Sequence, residues 1–169
     1  GYVGLVAAVV FASKGHRVIG LDIDECKISL LRGGGSPLFE PGLEELMAKS
    51  SCNLEFTADY RKAYESADVI FVAVPTPEKA DGSAELSYVM QACDQIAESR
   101  ERGCIVVIKS TVPPGTNDRI QAYFDDIAGS APGRRFNVVS NPEFLSQGTA
   151  LRDMLYPARI VVGVQDDAA

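Results

Sequence analysis

The fold is decided at residues 69–74, which read VIFVAV, six apolar residues in succession. A second uninterrupted run, IVVI, stands at residues 105–108. Continuously apolar strands are typical of parallel sheets that helices cover on both faces. Other short apolar runs, bounded by turn residues, alternate with longer stretches of helical character. The sequence therefore predicts a doubly wound α/β fold, with a parallel sheet and helices on both of its faces.

The predicted elements run along the whole chain as one domain, residues 1–169, without an internal repeat or a linker. We place strands at residues 17–22, 54–57, 68–74, 104–109, 136–140 and 159–164. We place helices at residues 2–14, 25–31, 42–49, 60–65, 86–100 and 117–127, with Gly15 as a left-handed cap of the first.

Both ends of the chain lie inside predicted structure. The chain begins at Gly1 in helix-like sequence without a methionine, and it stops just after an apolar run. The uncharged stretch at residues 1–13 is too short to span a bilayer and has no basic leader, so we interpret it as a buried helix. We expect the fold to be truncated at both ends, with its first strand preceding Gly1.

Composition limits the classes of partner. The 169 residues are 46% hydrophobic and 23% charged, which predicts a soluble globular chain rather than a disordered one. A net charge of -7 predicts repulsion of nucleic acid and of anionic membranes. Any phosphate-bearing ligand must therefore be held by local features.

Cysteine and histidine usage limits the chemistry. The four cysteines lie far apart without a C-x-x-C pair, which disfavours a zinc site and favours a reducing, cytoplasmic location. The single histidine, His16, excludes a multi-histidine metal site and makes a Ser-His-Asp triad improbable. We expect no metal centre.

Two glycines and an aspartate suggest a dinucleotide site. Gly1 and Gly4 have the spacing of the second and third glycines of a G-x-G-x-x-G fingerprint, although glycines also serve plain helix-sheet packing. Asp22 ends an apolar run 18 residues beyond Gly4, near the position of the ribose-binding acid. Its carboxylate would accept hydrogen bonds from ribose hydroxyls and repel a 2'-phosphate, which favours NAD over NADP. The alternative is an N-cap role, which Asp24 already fills well.

Three unusual loops follow predicted strands, at the edge where open α/β sheets bind ligands. They begin Pro75-Thr76-Pro77, Ser110-Thr111-Val112-Pro113 and Asn141-Pro142-Glu143. Each has a structural explanation: threonines satisfy turn donors, Thr116 suits the cap of a helix at Asn117, and Asn141 could cap a helix that has Pro142 in its first turn. Together they are better explained as walls of one active-site cleft.

Several motifs, taken in order, resemble the NAD-binding domain of the UDP-glucose/GDP-mannose dehydrogenase family. They are Gly1-Tyr2-Val3-Gly4-Leu5, Leu21-Asp22-Ile23-Asp24 with Lys27, Phe39-Glu40-Pro41-Gly42-Leu43-Glu44, Val74-Pro75-Thr76-Pro77, Asp81-Gly82-Ser83 with Leu86-Ser87-Tyr88-Val89, Lys109-Ser110-Thr111-Val112-Pro113, and Ser140-Asn141-Pro142-Glu143-Phe144-Leu145. The resemblance covers nearly the whole chain and implies a Rossmann-like fold.

The resemblance also implies an activity, the oxidation of the C6 alcohol of a nucleotide sugar to a carboxylate with two NAD in succession. UDP-glucose is the favoured substrate, with GDP-mannose and UDP-N-acetylhexosamines as alternatives. The resemblance implies roles for residues of this chain as well. The residues implied to contact the cofactor are Gly1, Tyr2, Val3, Gly4, Asp22, Lys27, Thr76, Ser110, Thr111 and Gln147. Those implied to contact the substrate are Glu143, Phe144 and Leu145. In catalysis, Glu143 would be the general acid/base and Thr111 would help to position a water.

One residue departs from the family pattern, and several functional parts of the family lie outside the chain. Gln147 stands where many members carry a glutamate, and an amide cannot act as a base. The family's nucleophilic cysteine, its catalytic lysine and the central helix that joins subunits of a homodimer or larger homo-oligomer would lie beyond Ala169. Cys93 and Cys104 are expected in the core, and Cys26 and Cys52 are incidental. We therefore expect this piece alone to be inactive.

Two rival interpretations remain. One is another NAD-dependent dehydrogenase, of the 3-hydroxyacid or 6-phosphogluconate type, against which the proline-flanked loops speak. The other is a non-catalytic NAD-binding regulatory module, which Gln147 supports.

Overall fold

The computed structural model describes residues 1–129 and 134–165, in which strands and helices alternate. The strands are β1 (Val18–Leu21), β2 (Leu54–Thr57), β3 (Val69–Val72), β4 (Ile105–Ile108) and β5 (Asn137–Ser140). The helices are α1 (Tyr2–Ser13), α2 (Glu25–Arg32), α3 (Leu43–Lys49), α4 (Tyr60–Tyr64), α5 (Ser87–Ser99), α6 (Thr116–Ala128) and α7 (Ala150–Leu155), with a 3-10 turn at Ser51–Asn53. The predicted α/β class is confirmed.

The chain divides into two compact units. Unit 1 comprises Gly1–Ala63 with Phe144–Arg159, and unit 2 comprises Tyr64–Glu143 with the residues from Ile160 onward. In unit 1, β1 and β2 pair in parallel from Val18–Leu54 to Leu21–Thr57. In unit 2, β3, β4 and β5 form a parallel sheet in that order. Parallel pairing with interposed helices is therefore present in both units, and the assignment of residues 1–169 to one domain stays a prediction.

Helix α1 organises the core of unit 1. Its sequence, YVGLVAAVVFAS, carries no charge, and it buries Val6, Val9 and Val10 among residues of α2, α3, β2 and α7. The prediction of a buried helix is thus confirmed. Gly15 follows it with a φ of 93°, a left-handed conformation that glycine adopts without strain, so the predicted cap is also confirmed.

The core of unit 2 lies between its sheet and helices α5 and α6. Inward residues of β3 and β4, such as Ile70 and Val106, pack with Ile96 of α5 and with Ile120 and Phe124 of α6. The rings of Phe124 and Phe136 stack with centroids 4.5 Å apart. The apolar periodicity of α5 and α6 is therefore the cause of their burial against the sheet.

Three sequence predictions of local structure are wrong. Residues 159–164 form no strand; Gly163 alone makes an antiparallel bridge, to Ser140. Thr116 is not a cap, because α6 begins with Thr116 itself after Gly115, whose φ is 81°. Residues 141–146 are not helical, so Asn141 is not an N-cap. Helix α7, for which no prediction was made, follows this irregular segment.

Gly103 is a position where the packing of unit 2 demands glycine. A β-carbon there would lie 1.5 Å from the carbonyl oxygen of Arg135, a backbone atom that cannot swing away. We predict that Gly103→Ala lowers the free energy of unfolding by about 2–3 kcal/mol. Gly129→Ala is the control, since its β-carbon would meet only ordinary contacts of 3.4 Å or more. Denaturant titration of both purified variants checks this, and equal stability would contradict it.

Within residues 1–129 and 134–165, every helix falls short of the length and apolar character that crossing a membrane requires.

Candidate functional site

The start of helix α1 presents unpaired backbone donors. The first intrahelical hydrogen bond runs from Leu5 N to Gly1 O, at 3.0 Å, so the N–H groups of Tyr2, Val3 and Gly4 have no carbonyl partner within the helix. The first turn carries no acidic side chain. An N-terminus of this kind favours a phosphate group through its N–H donors and the helix dipole.

Asp22 lies beside this helix start, at the carboxyl end of β1. Its Oδ2 is 3.1 Å from Gly1 N, and its Oδ1 accepts a hydrogen bond from Asp24 N, also at 3.1 Å. Burial raises the pKa of Asp22, whereas the hydrogen bond from Asp24 N and the positive charge of Lys27 lower it. The carboxylate is 19% exposed. It is therefore a charged acceptor that a ligand at the helix start can reach.

The capping role belongs to Asp24. Its Oδ1 accepts hydrogen bonds from Cys26 N at 3.0 Å and from Lys27 N at 3.2 Å, so it caps α2. Lys27 Nζ stands 3.5 Å from Asp24 Oδ2 and 4.0 Å from Asp22 Oδ1. The structure thus distinguishes the roles of the two aspartates. Asp24 caps α2, so Asp22 is not needed as the cap of that helix.

In unit 2 the three loops singled out in the sequence begin at one edge of the sheet. Val72, Ile108 and Ser140 are register partners at the ends of β3, β4 and β5. Because parallel strands end at the same edge, the loops after them start side by side, as the sequence predicted.

Two of these loops are joined by hydroxyl groups that face the backbone. Ser110 Oγ accepts from Val74 N at 2.9 Å and donates to Val74 O at 2.7 Å. Thr76 Oγ1 donates to Thr111 O at 2.7 Å. Ser110 therefore fixes the backbone that leads to Thr76, whereas the Thr111 side chain is exposed at this edge.

The third loop is held by a buried lysine. Lys109 is 7% exposed, and its Nζ donates to Asn141 Oδ1 at 3.0 Å. Asn141 Nδ2 in turn donates to Val161 O at 2.8 Å. Burial lowers the pKa of Lys109, and the negative charge of Glu143, two residues beyond Asn141, opposes that shift. Lys109 therefore lies close enough to the Glu143 carboxylate for their charges to interact.

The remaining predicted residues lie in unit 1. The ring of Phe144 is half exposed, with the guanidinium of Arg159 4.6 Å from its centre. Leu145 is partly buried against the core of unit 1, and Gln147 is exposed. Gly148 follows with a φ of 87°, which turns the chain toward α7.

Comparison with known proteins decides the family. The model of the UDP-glucose/GDP-mannose dehydrogenase family, NAD-binding domain, matches residues 1–169. The chain belongs to this family. Membership confirms the Rossmann-type α/β fold and NAD as the cofactor.

Relatives of the family show the extent of the likeness. The chain is 46% identical to UDP-glucose 6-dehydrogenase YwqF of Bacillus subtilis over 169 residues, which are 99% of this chain and 38% of that protein. A solved UDP-glucose dehydrogenase from Pyrobaculum islandicum matches with a TM-score of 0.90 at 43% identity, covering 99% of this chain and 40% of the other. GDP-mannose dehydrogenase from Pseudomonas aeruginosa matches with a TM-score of 0.91 at 38% identity and the same coverage. The chain thus spans about two fifths of the length of these relatives.

Unit 1 fits the cofactor that the family implies. The free N–H groups at the start of α1 suit a pyrophosphate, and the charged Asp22 carboxylate beside them suits a ribose diol. Among the described residues no group of three or more histidine, cysteine or acidic side chains is arranged to hold a metal ion.

The cysteines of this family member behave as core or surface thiols. Cys93 and Cys104 are buried, and burial raises their pKa values to about 12 and about 11. Neither is a nucleophilic thiolate at neutral pH. Cys26 and Cys52 are exposed free thiols.

The sequence identified the residues of the motifs but not what they contact. Ser110 is predicted to contact the cofactor, and the structure adds that its hydroxyl is hydrogen-bonded to the backbone of Val74. Glu40 received no role, and it is the most buried carboxylate of the described residues. The only sequence signal for Glu40 was its place in the quoted motif Phe39-Glu40-Pro41, which does not indicate its partners.

Ser110→Ala tests the bracing role of this hydroxyl. Removing Oγ leaves Val74 N and Val74 O without their partner, so we predict a loss of about 1–2 kcal/mol in the free energy of unfolding. Ser66→Ala, at an exposed serine of the same unit, should be neutral. Thermal and denaturant unfolding measure both variants. A Ser110→Ala variant of unchanged stability with weakened NAD binding would support direct cofactor contact instead.

Proposed function

We propose that the protein containing this chain oxidises the C6 alcohol of a nucleotide sugar to the carboxylate, with UDP-glucose as its substrate. The arrangement that carries the proposal is the segment Asn141-Pro142-Glu143, held at the end of β5 by buried Lys109. Glu143 follows the end of β5, and the loops that carry Thr76 and Thr111 follow the ends of β3 and β4 at the same edge of the sheet of unit 2. Similarity to UDP-glucose 6-dehydrogenases over 99% of the chain supports the choice of sugar.

Each residue has a task that its surroundings support. The N–H groups of Tyr2, Val3 and Gly4 bind the pyrophosphate of NAD, and Asp22 with Lys27 holds the adenosine ribose. Thr76 and Thr111 contact the cofactor nearer the nicotinamide, and Gln147 adds a further contact. Ser110 acts on the cofactor site through the backbone of Val74, which its hydroxyl holds. NAD, when bound, accepts a hydride from C6 in each of two successive oxidations.

Glu143 is the general acid/base of this proposal. Its carboxylate takes up or returns a proton of the sugar or of a water that Thr111 orients. Phe144 and Leu145 contribute sugar contacts of their own, and the guanidinium of Arg159 lies over the Phe144 ring.

Further properties of the whole protein belong to the same proposal. We expect a homo-oligomer, no nucleic-acid partner and no membrane partner, the last two because the chain carries a net charge of -7. The four free thiols support a reducing, cytoplasmic location.

The experiment offers UDP-glucose, GDP-mannose and UDP-N-acetylglucosamine separately to the purified protein with NAD and follows NADH absorbance. The highest kcat/KM is expected with UDP-glucose. A preference for GDP-mannose would replace the substrate but keep the reaction. NAD binding without NADH formation from any of the three would overturn the proposal and favour a non-catalytic binding module.

A further inference from the structure

Glu40 is a buried carboxylate that the proposed function does not use. It lies between α2 and α3 and is 6% exposed. Its Oε2 accepts hydrogen bonds from the Tyr2 hydroxyl and from Gly148 N, the latter at 2.9 Å. Its Oε1 accepts from Leu151 N at 3.1 Å. All of these residues belong to unit 1, and three separate stretches of chain meet at this one side chain.

The hydrogen bonds keep Glu40 ionised despite its burial. Burial alone would raise its pKa, but the donors on Tyr2, Leu151 and Gly148 lower the pKa overall. Burial and the adjacent Glu40 also raise the pKa of Tyr2, so the tyrosine stays a neutral donor. An ionised carboxylate that accepts from three donors holds them strongly and directionally, because each of its hydrogen bonds is assisted by charge.

The hydrogen bonds of Glu40 link the start of α1 to the chain directly after the residues proposed to bind the sugar. Gly148 is the next residue after the segment at residues 144–147, and Leu151 lies in the first turn of α7. Gly148 N also lies 3.1 Å from the Tyr2 hydroxyl, so this one amide contacts both partners. The position of residues 144–147 therefore depends on Glu40 at their C-terminal end.

We propose that Glu40 is a positioning residue for the nucleotide sugar, which acts by holding Gly148 and Leu151 and thereby the Phe144–Leu145 backbone in its binding conformation. This inference rests on the proposed function. It adds a residue that contacts neither substrate nor cofactor and that sets affinity for the sugar through the backbone.

Glu40→Gln removes one of the two acceptor oxygens that hold Gly148 N and Leu151 N. An amide has one acceptor oxygen, so if that oxygen stays on Leu151 N, the NH2 group faces Gly148 N, and two donors oppose each other. We expect the KM for UDP-glucose to rise about tenfold, the equivalent of one charge-assisted hydrogen bond, while kcat changes less than about twofold. Glu45→Gln, at an exposed glutamate of the same unit, is the matched control and should leave both unchanged.

Two further measurements separate positioning from general destabilisation. Hydrogen exchange at the Gly148 and Leu151 amides should accelerate in Glu40→Gln while amides of β1 and β2 stay protected. Glu40→Asp keeps the charge but shortens the side chain by one carbon, so it should raise the same KM and serves if Glu40→Gln does not fold. Parallel losses in kcat, stability and β1 protection would show a merely structural role and overturn the inference.

The outcomes also separate this inference from the proposed function. A wild-type protein that oxidises none of the three nucleotide sugars overturns the proposed function and the inference with it. A wild-type protein that is active, beside a Glu40→Gln variant of unchanged KM for UDP-glucose, overturns the inference alone.

Discussion

Replacing Glu143 by glutamine is expected to lower kcat for nucleotide-sugar oxidation about 10²–10⁴-fold and to leave NAD affinity unchanged. Glutamine has nearly the same shape, so the segment at residues 141–143, which Lys109 holds through Asn141, is retained. It cannot take up a proton, so only the acid/base step is lost. Stopped-flow or steady-state NADH formation gives kcat, and calorimetric titration gives the affinity for NAD.

The control for this variant is Glu101→Gln, at an exposed glutamate of unit 2. It removes the same charge away from the strand-end edge and should leave kcat unchanged. A Glu143→Gln variant that keeps more than about a third of wild-type kcat would remove Glu143 from the acid/base role, because general catalysis contributes at least about a hundredfold.

Asp22→Asn is expected to weaken NAD binding about 10- to 100-fold, the value of one charge-assisted hydrogen bond to a ribose hydroxyl. The negative charge that repels a 2'-phosphate is lost at the same time. The ratio of NADP to NAD affinity should therefore rise. Titration of the purified variant with both dinucleotides measures the two effects together.

Asp24→Asn provides the matched control for Asp22. Asparagine caps a helix about as well as aspartate, so α2 should stay intact. The hydrogen bond from Asp24 N to Asp22 is a backbone bond and is kept. NAD affinity should therefore change little in Asp24→Asn. Equal losses in the two variants would mean that the general negative charge near β1, and not a ribose contact at Asp22, determines affinity.

Strands and helices with buried apolar periodicity could be predicted from the sequence. The runs at residues 69–74 and 105–108 became β3 and β4 because each strand has a parallel neighbour to pair with. Residues 160–164 are also an uninterrupted apolar run, yet only Gly163 pairs, and Ile160 remains 72% exposed. Apolar character alone does not make a strand, because a strand also needs a partner along its length.

Some residues of the candidate site could be predicted from the sequence and others could not, because only local spacings leave a pattern in it. Asp22 and the start of α1 are connected by a spacing of about 20 residues that a local motif can encode. Glu40 instead contacts Tyr2, Gly148 and Leu151, which lie 38, 108 and 111 residues away in sequence. Ser110 shows the converse case: its position in the motif is clear from the sequence, but the direction of its hydroxyl depends on the backbone of Val74, just after β3. Side-chain partners across the fold have no signature in a single sequence.

The central claim is a four-electron oxidation supported by the NAD site of this chain, and the number of NADH molecules formed for each UDP-glucose consumed tests it most directly. The purified protein is given limiting UDP-glucose and excess NAD until absorbance is constant, and the sugar product is identified by mass. Two NADH for each sugar, with UDP-glucuronate as product, is the predicted result. One NADH with an aldehyde product, or consumption of sugar without NADH, would contradict the account.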